Sequence, residues 1–583
     1  MHSKVVLFLF LFLLTAGITT SLNAQEAAGQ TQQTLLPDID PQDIEIRSQF
    51  QARFPGLSRQ PILGFNPKPR VFQLDPNRTP FIESEEAVAA SLPVGELDRP
   101  DAPGYTPLTY TDPSTGFARL GIGTYTTPEA DVFLIQGLGN KNWVSGNLNY
   151  RSSDGHLETY QSAFRDFDTV VRSQFQLSDR AQLRLNTGLF SNFNYLPPDE
   201  SETEVFPRTE AKSTNNGIRF GGNFDYNRTS ISGFSSAFNV YRNQFEIIDL
   251  LDEDGSTIPG TANEWGGNIG VNYAWAGSRV EEVYSIYAGL KGGGIDLINR
   301  ERDDWSISEA GVKYERLLNY QTDINASFGG ALVTDAFEDS RFYITPVLEV
   351  RHTLVDGIDI RGRLSGTPQH NSFNQYREIN RFIGLTEPVS HQYNSELRAE
   401  VIMEPLTGTM FTGGFQIQNV RNYAYFTRSE GGEMFPDVTT GTRFSYQPNF
   451  DNASFLKLYG SFSQQLAAEK FWVSADAYWQ RPRLAGNELI PFVEALGVKG
   501  TASIRPIRDL VVEGWADFKG SRHNPAGEDL SSFFLLGTRF ELALTSNAGV
   551  YAKLLNINDA GYEIWQGYEE RGFQAFVGIT YLF

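Results

Sequence analysis

From Phe117 to the end of the chain, apolar and polar residues alternate in segments of about ten residues. Successive side chains of a β-strand point to opposite faces, so this alternation predicts strands with one apolar and one polar face. In residues 471–479, for example, Phe471, Val473 and Trp479 share the parity opposite to Asp476. We expect 22 such strands, which begin near residues 117, 131, 142, 167, 181, 216, 230, 265, 280, 305, 321, 342, 357, 392, 409, 451, 470, 495, 509, 532, 547 and 572.

The connections between these segments alternate in length. Short turns such as 139–141 and 355–357 follow the even-numbered segments, whereas long connections such as 193–215 and 367–391 follow odd-numbered ones. A soluble β-sandwich also alternates, but its strands are usually only about five or six residues long. Short turns, long loops and an even strand number together predict an all-β fold, a transmembrane antiparallel β-barrel over residues 117–583.

The last strand ends the chain on an aromatic residue. Phe583, Tyr581, Ile579 and Val577 lie at alternate positions and therefore share one face. An unpaired apolar edge would aggregate, so we expect this strand to pair with the first strand and close the barrel. The ending resembles the terminal strand of bacterial outer-membrane barrels, where these positions form the signal that the insertion machinery reads. The resemblance implies the outer membrane of a Gram-negative bacterium.

Two stretches fit the strand pattern poorly. Pro346 lies inside the segment 342–352 and would remove a ladder hydrogen bond, so we expect a bulge or a strand boundary there. Residues 410–450 contain two aromatic runs, which predict either strands that extend above the membrane or an extra hairpin. These two places leave the strand number between about 20 and 24.

The first 116 residues differ in kind from the rest. Residues 1–24 combine Lys4, a short apolar run and the small residue Ala24, which predicts a signal peptide cleaved after Ala24. The apolar run is shorter than the roughly 20 residues that a membrane-spanning helix needs. Residues 25–116 hold 13 of the 28 prolines and show no regular period, so we expect a mostly irregular periplasmic or lumenal segment.

Composition narrows the class of protein. The net charge of -22 argues against nucleic-acid binding. The chain has no cysteine, which excludes disulfides, thiolate metal sites and a lipoprotein anchor. The mean hydropathy of -0.33 fits a barrel as well as a soluble protein, because half of each strand faces a polar lumen.

The carboxyl end resembles the last hairpin of TonB-dependent transporters. That family carries a globular amino-terminal plug in the lumen, whereas residues 25–116 are few and proline-rich, so we expect the usual plug to be missing, as in a Bacteroidota-type receptor-like barrel. The residues that carry the resemblance are Leu554-Leu555-Asn556-Ile557, Tyr562-Glu563, Trp565, Gly567-Tyr568 and Gly572-Phe573.

A short alternating stretch in the amino-terminal segment is a candidate TonB box. Such a box pairs as a strand with a periplasmic energy-coupling protein. An alternation of this length also arises often by chance, so both interpretations stay open. The residues are Asp43, Ile44, Glu45, Ile46 and Arg47.

The sequence marks neither an enzyme nor a cofactor or metal site. His370 and Ser372 share a long loop, but nucleophilic catalysis needs a base in reach and a third group to orient it, and neither is marked. The acidic run at 249–254 fails the EF-hand order because Leu250 occupies the first ligand position. We expect an exposed acidic loop there.

Residues on the polar strand faces are candidates for lining the lumen. Their acidic and basic members are nearly balanced, which favours ion-paired ladders along the wall over a strongly selective pore. A substrate track is the alternative. The candidates are Arg184, Arg361, Arg363, Arg398, Glu400, Asp476, Glu513, Trp515 and Asp517.

Two functions are compatible with these expectations. The first is an outer-membrane barrel that moves or admits a solute, favoured by the strand number and the last hairpin. The second is a non-transporting scaffold that anchors a periplasmic or surface complex through residues 25–116. An empty lumen of this size would breach the permeability barrier, so we expect residues 25–116 or the loops 367–391 and 419–440 to fill it.

Overall fold

The computed structural model describes residues 115–139, 141–157, 162–197, 212–229, 232–251, 257–279, 281–297, 302–336, 340–384, 389–429, 445–466 and 470–583. These residues include one α-helix, α1 (Phe373–Ile379), and a short 3-10 turn at Ala485–Asn487. The strands are β1 (Gly116–Gly123), β2 (Thr127–Gly139), β3 (Asn142–Ser153), β4 (Phe164–Ser178), β5 (Ala181–Tyr195), β6 (Lys212–Asn227), β7 (Gly233–Leu251), β8 (Thr257–Ala276), β9 (Glu282–Asp296), β10 (Asp303–Asn319), β11 (Thr322–Thr334), β12 (Arg341–Ile344), β13 (Val347–Val355), β14 (Ile358–Gln369), β15 (Gln392–Leu406), β16 (Thr409–Ser429), β17 (Ser445–Leu466), β18 (Phe471–Leu484), β19 (Leu496–Ile507), β20 (Leu510–Lys519), β21 (Arg522–His523), β22 (Asp529–Leu530), β23 (Phe533–Ala543), β24 (Ala548–Leu555) and β25 (Gln574–Leu582).

These strands form one closed antiparallel sheet, apart from β21 and β22, which make a separate small hairpin. Each barrel strand pairs with its neighbours in sequence, and β1 pairs with β25 from Phe117 opposite Leu582 to Gly123 opposite Phe576. Since β12 and β13 both pair with β11 as halves of one strand, the wall has 22 strand positions. The predicted fold class, strand number and closure are confirmed.

Pro346 divides one barrel strand into β12 and β13, as the sequence predicts. The two residues between the halves keep hydrogen bonds to the neighbouring strands. Thr345 N donates to Gly329 O, and Gly366 N donates to Pro346 O, both at 2.8 Å. The break therefore costs only the bond that proline cannot donate.

The aromatic runs of residues 410–450 belong to two long strands. β16 and β17 pair from Thr409 opposite Gln464 to Ser429 opposite Ser445, with one irregularity between Val420 and Tyr423. Among the described residues there is no extra hairpin in this stretch. Of the two alternatives predicted for this stretch, the extended strands are therefore confirmed.

The two faces of the wall differ in exposure. On β25, Val577, Ile579 and Tyr581 are 60, 56 and 51% exposed, whereas Phe576 is 1% exposed. We call the face with exposed apolar side chains the outer face and the opposite face the inner face. Among the described residues, no helix is long and apolar enough to cross a membrane.

The two ends of the barrel also differ. Turns such as Gly408 between β15 and β16 lie at the end that holds the start of β1 and the end of β25, which we call the short-turn end. The connection between β14 and β15, which contains α1, lies at the opposite, long-loop end. The predicted signal peptide with its cleavage at Ala24, the segment 25–114 and the candidate TonB box lie outside the described residues.

The packing of Trp515 against Gly537 gives a test of the wall. The two residues lie opposite each other on β20 and β23, and a Cβ at residue 537 would overlap the indole ring. We expect Gly537→Val to destabilise the barrel by about 1–3 kcal/mol. The readout is the temperature at which the compact barrel unfolds in detergent gels.

The matched control is Gly514→Val in the same strand as Trp515. The nearest atom to a Cβ at residue 514 is 3.8 Å away, so this variant adds the same side chain without overlap. Equal losses of unfolding temperature in the two variants would show that the close approach of residue 537 to the ring is unimportant.

Candidate functional site

One apolar cluster crosses the long-loop end of the barrel and joins parts of the wall that are far apart in sequence. It combines α1 and its loop with β7–β9 on one side and with β16, β17 and two other loops on the other. Burial of large aromatic side chains is the main source of stability in such a cluster. Its members are Leu196, Phe245, Ile247, Ala262, Ile295, Leu297, Phe373, Tyr376, Phe382, Ile383, Val389, Ala424, Phe426, Tyr446, Phe492, Trp565 and Tyr568.

We call this assembly of loops the lid. It consists of the β14–β15 loop with α1, the β18–β19 loop, the β20–β23 loop and the β24–β25 loop. Phe373, Tyr376 and Phe382 from the first of these are at most 1% exposed. The ring of Phe373 packs on Phe245 of β7 with centroids 4.8 Å apart. The expected inward folding of the 367–391 loop is thus seen in its described residues.

The sequence explains locally why α1 begins at Phe373. Ser372 is the N-cap, since its hydroxyl accepts from Gln375 N at 3.3 Å while Gln375 Oε1 accepts from Ser372 N at 2.7 Å. This capping box satisfies two amide groups that the first helical turn leaves free. A helix of two turns is unstable alone, so tertiary packing of Phe373 and Tyr376 maintains it.

Polar contacts attach α1 to the inner face of β6–β8. Glu264 accepts from Phe373 N through Oε1 at 3.0 Å and from the Asn243 side chain through Oε2 at 2.9 Å. Asn215 donates to the Asn374 side chain at 2.8 Å. One carboxylate therefore links the start of the helix to the wall.

The buried side chain of Arg377 also attaches α1 to the wall. Its guanidinium donates to Ser213 Oγ at 2.7 Å and to Asn194 Oδ1 at 2.6 Å. No carboxylate among the described residues is within ion-pair distance, and Asp166 acts on it only at longer range. Burial lowers the pKa of Arg377 to about 10, which still leaves it charged at neutral pH. The guanidinium therefore donates its hydrogen bonds to neutral groups only.

An ion pair joins the two largest loops of the lid. Arg381 in the β14–β15 loop donates from Nη2 to both oxygens of Glu570 in the β24–β25 loop, at 2.9 and 3.1 Å. The guanidinium also lies 5.1 Å from the ring centre of Phe382 and 4.8 Å from that of Tyr568. We call this contact the latch.

Backbone carbonyls connect the remaining loops. Arg522 donates to Glu563 O at 2.6 Å and to Ile564 O at 3.1 Å, which ties the β20–β23 loop to the β24–β25 loop. Phe492 N donates to His523 O at 2.8 Å and ties in the β18–β19 loop. The four loops therefore form one connected lid.

A buried triad fixes the point where the lid returns to the wall. His391 donates through both its backbone N and its ring Nδ1 to Asp335. Tyr343 OH lies 2.8 Å from His391 Nε2. Because a carboxylate only accepts, the ring donates from Nδ1 to Asp335. Sequence reasoning missed all three residues.

The loop pair weighed for catalysis has structural roles. The Ser372 hydroxyl caps α1, and His370 stacks on Trp305 with centroids 4.0 Å apart and planes at 7°. Burial lowers the pKa of His370 to about 3, so the ring is neutral. No group of three or more histidine or acidic residues in the described part of the chain could hold a metal, and residues 252–254 of the acidic run lie outside it.

The four candidate lumen residues of β14 and β15 lie on the inner face, and three of them form local ion pairs. Arg361 Nη1 lies 3.8 Å from Glu400, which also accepts from Tyr459 OH at 2.9 Å. Arg398 pairs with Glu396 at 3.4 Å, and Arg363 lies directly opposite Arg398 in the ladder.

The other candidates lie on separate parts of the inner face. Asp476 and Asp517 both lie opposite Lys499 in one row across β18–β20. Glu513 lies opposite Arg539 and, like Asp517, is buried. Arg184 lies 3.8 Å from Asp225 and is half exposed. The structure thus does not gather the candidate charges into one site. The exposed side chains of Val577, Ile579 and Tyr581 lie on the outer face, and Phe583 follows the last strand.

Comparison with known sequences found no match, either among protein-family models or among curated proteins. Solved structures do match. The FrpB iron transporter of Neisseria meningitidis aligns over 81% of this chain and 82% of its own, with 8% identity and a TM-score of 0.63. The ferric-catecholate import receptor Fiu of E. coli aligns over 80% and 82%, with 10% identity and a TM-score of 0.59.

The ferripyoverdine receptor of the Pseudomonas aeruginosa outer membrane aligns over 81% of this chain and 72% of its own, with 11% identity and a TM-score of 0.59. At such identities the likeness concerns the fold. The chain therefore has the barrel fold of TonB-dependent outer-membrane receptors, which confirms the fold that the last hairpin predicted.

Arg377 allows a test of how α1 is held. Arg377→Met keeps the length of the side chain and removes its donors, which leaves Asn194 and Ser213 buried without this partner at a cost of about 1–3 kcal/mol. We expect chymotrypsin to cut at Phe373 and Tyr376 about tenfold faster than in the unchanged protein.

The control is Arg508→Met in the short turn between β19 and β20, at the opposite end of the barrel. Its cleavage rate should equal that of the unchanged protein. Equal cleavage rates for Arg377→Met and the unchanged protein would mean that packing alone holds the helix.

Proposed function

We propose that this chain is an outer-membrane receptor that admits a solute through its barrel, and that the lid is the gate at the extracellular end. The observation that carries the proposal is the lid itself, in which three loops meet in one apolar cluster and the β20–β23 loop is joined to them by hydrogen bonds, across a wall of 22 strands. A pore of this width needs a closure. The named neighbours, an iron transporter, an import receptor and a ferripyoverdine receptor, support the same function.

The outer face supports insertion in a membrane. Tyr273, Trp275 and Tyr284 are exposed there near the short-turn end, with successive ring centroids 6.0 and 6.1 Å apart. Aromatic girdles of this kind lie at the headgroup level of transmembrane barrels. In this arrangement the short-turn end faces the periplasm.

Three further elements belong to the proposal. The insertion machinery reads β25 with Phe583, and the signal peptide 1–24 directs export. A periplasmic coupling protein engages residues 43–47 and transmits energy to the barrel. The charged inner-face residues on β14, β15 and β18–β20 stabilise the wall as ion pairs and line the lumen.

Opening requires the loops to separate. The latch is the ion pair between the two largest loops, and it is partly exposed, with Arg381 at 33% and Glu570 at 14% side-chain exposure. Water competes for such a pair, so its contribution is modest. We infer that the β24–β25 loop swings away first while α1 stays on the wall.

Single-channel recording in planar bilayers tests the gate. We expect Arg381→Ala to open more often than the unchanged protein, because it removes both the ion pair and the packing on two rings. The same substitution is also made in protein that lacks residues 26–110. Its effect on conductance can then be measured even if this segment blocks the pore of the full-length protein.

Arg302→Ala is the matched control. Arg302 pairs with Asp304 at 2.7 Å at the same end of the barrel but outside the lid. If conductance rises only when residues 26–110 are removed, that segment closes the barrel and the lid does not. No conductance in any of these proteins would contradict transport and favour the scaffold.

A further inference from the structure

Asparagine dominates one sector of the inner face, across β5–β8 beneath α1. Ladder pairing places these side chains in cross-strand rows, for example Asn186 opposite Gly221, Gly221 opposite Asn239, and Asn239 opposite Asn268. We call this sector the amide patch. Its asparagines are Asn186, Asn192, Asn194, Asn215, Asn223, Asn239, Asn243, Asn268 and Asn272.

Several amide atoms of the patch are buried without a hydrogen-bond partner. Asn239 is fully buried, and neither its Oδ1 nor its Nδ2 has a partner. The Oδ1 atoms of Asn215 and Asn243 also have no hydrogen-bond partner. These two residues are 0 and 1% exposed, respectively. Buried polar groups normally have hydrogen-bond partners, and a buried group without one destabilises the fold. Their concentration in one sector points to a ligand that supplies the missing bonds.

Two ion pairs beside the patch have both partners on the wall. Arg219 lies 3.2 Å from Asp168, and Lys291 at the edge of the sector lies 3.6 Å from Glu309. Glu264 is engaged by Asn243 and by the start of α1. The amides of the patch carry no charge, and an amide both donates and accepts, so it suits the hydroxyl groups of a neutral ligand.

Flat apolar surfaces lie between the amides. The ring of Tyr241 covers Gly266, and the ring of Phe190 covers Gly217, at positions where a Cβ would overlap the rings. Both rings belong to the inner face and are buried. On a sugar, apolar C–H faces alternate with hydroxyl groups. Aromatic rings next to amide donors and acceptors are complementary to this arrangement.

We propose that the amide patch binds a neutral, polyhydroxylated solute of the oligosaccharide class. The proposal rests on the proposed function, since the lid must open for entry. Asn215 and Glu264 serve α1 in the closed lid, so a solute that takes their hydrogen bonds competes directly with the helix. Binding at the patch thus favours release of α1.

The test is binding of the purified full-length protein to an array of neutral oligosaccharides, followed by calorimetry with those bound. Each experiment uses the unchanged protein and Arg381→Ala, so that a closed lid does not hide the site. We expect binding to at least one neutral oligosaccharide and a loss of affinity of about tenfold or more in Asn239→Leu/Asn243→Leu.

Asn325→Leu on β11 is the matched control and should bind as tightly as the unchanged protein. Asn239→Asp keeps the shape of the side chain and serves if the double variant fails to form the compact barrel; its added charge should also weaken binding. Absence of neutral oligosaccharide binding, or equal affinity in the patch variants, would overturn the proposal. The bilayer recordings test the gate independently, because they require no solute.

Discussion

Pairing of β1 with β25 is the constraint on which the rest of the structure depends. A sheet whose outer face is apolar cannot leave an edge open, and closure removes both edges at once. Closure of consecutive antiparallel strands also requires an even number of positions and brings the start of β1 and the end of β25 to the same end. The contrast between short turns at that end and long loops at the other is compatible with this geometry.

Closure at this strand number creates a second demand, since a wide lumen has to be filled or covered. The chain meets it at the long-loop end by turning aromatic side chains inward. Phe373, Tyr376 and Phe382 are hidden from water by wall strands that lie nearly opposite one another. The lid thus draws its stability from the wall, because the aromatic side chains of α1 and its neighbouring loops that the structure describes are buried together with residues of the wall strands.

The wall could be predicted from sequence because its signal is local. A period of two fixes which residues of a strand share a face, and Pro346 marks the interruption by its missing donor. The lid could not, because its contacts join distant residues: Arg377 and Asn194 are 183 positions apart, and Arg381 and Glu570 are 189 apart. Only the capping box from Ser372 to Gln375 carried a local signal for α1. The orphaned amides of the patch likewise depend on three-dimensional burial, which spacing does not encode.

The two arginines of the lid differ in how their charges are compensated. Arg381 has a carboxylate partner near solvent, so separation lets water replace each group of the pair. Arg377 is buried with neutral partners, and its hydrogen bonds to Ser213 and Asn194 offset part of the hydration that it loses, while Asp166 acts on it only at longer range. The ion pair of Arg381 therefore adds little to closure, and the hydrogen bonds of Arg377 position α1 on the wall, which leaves apolar packing as the main force that holds the lid together. In the proposed gate, a solute that offers equivalent hydrogen bonds to the polar partners of α1 would compete with the helix for the wall.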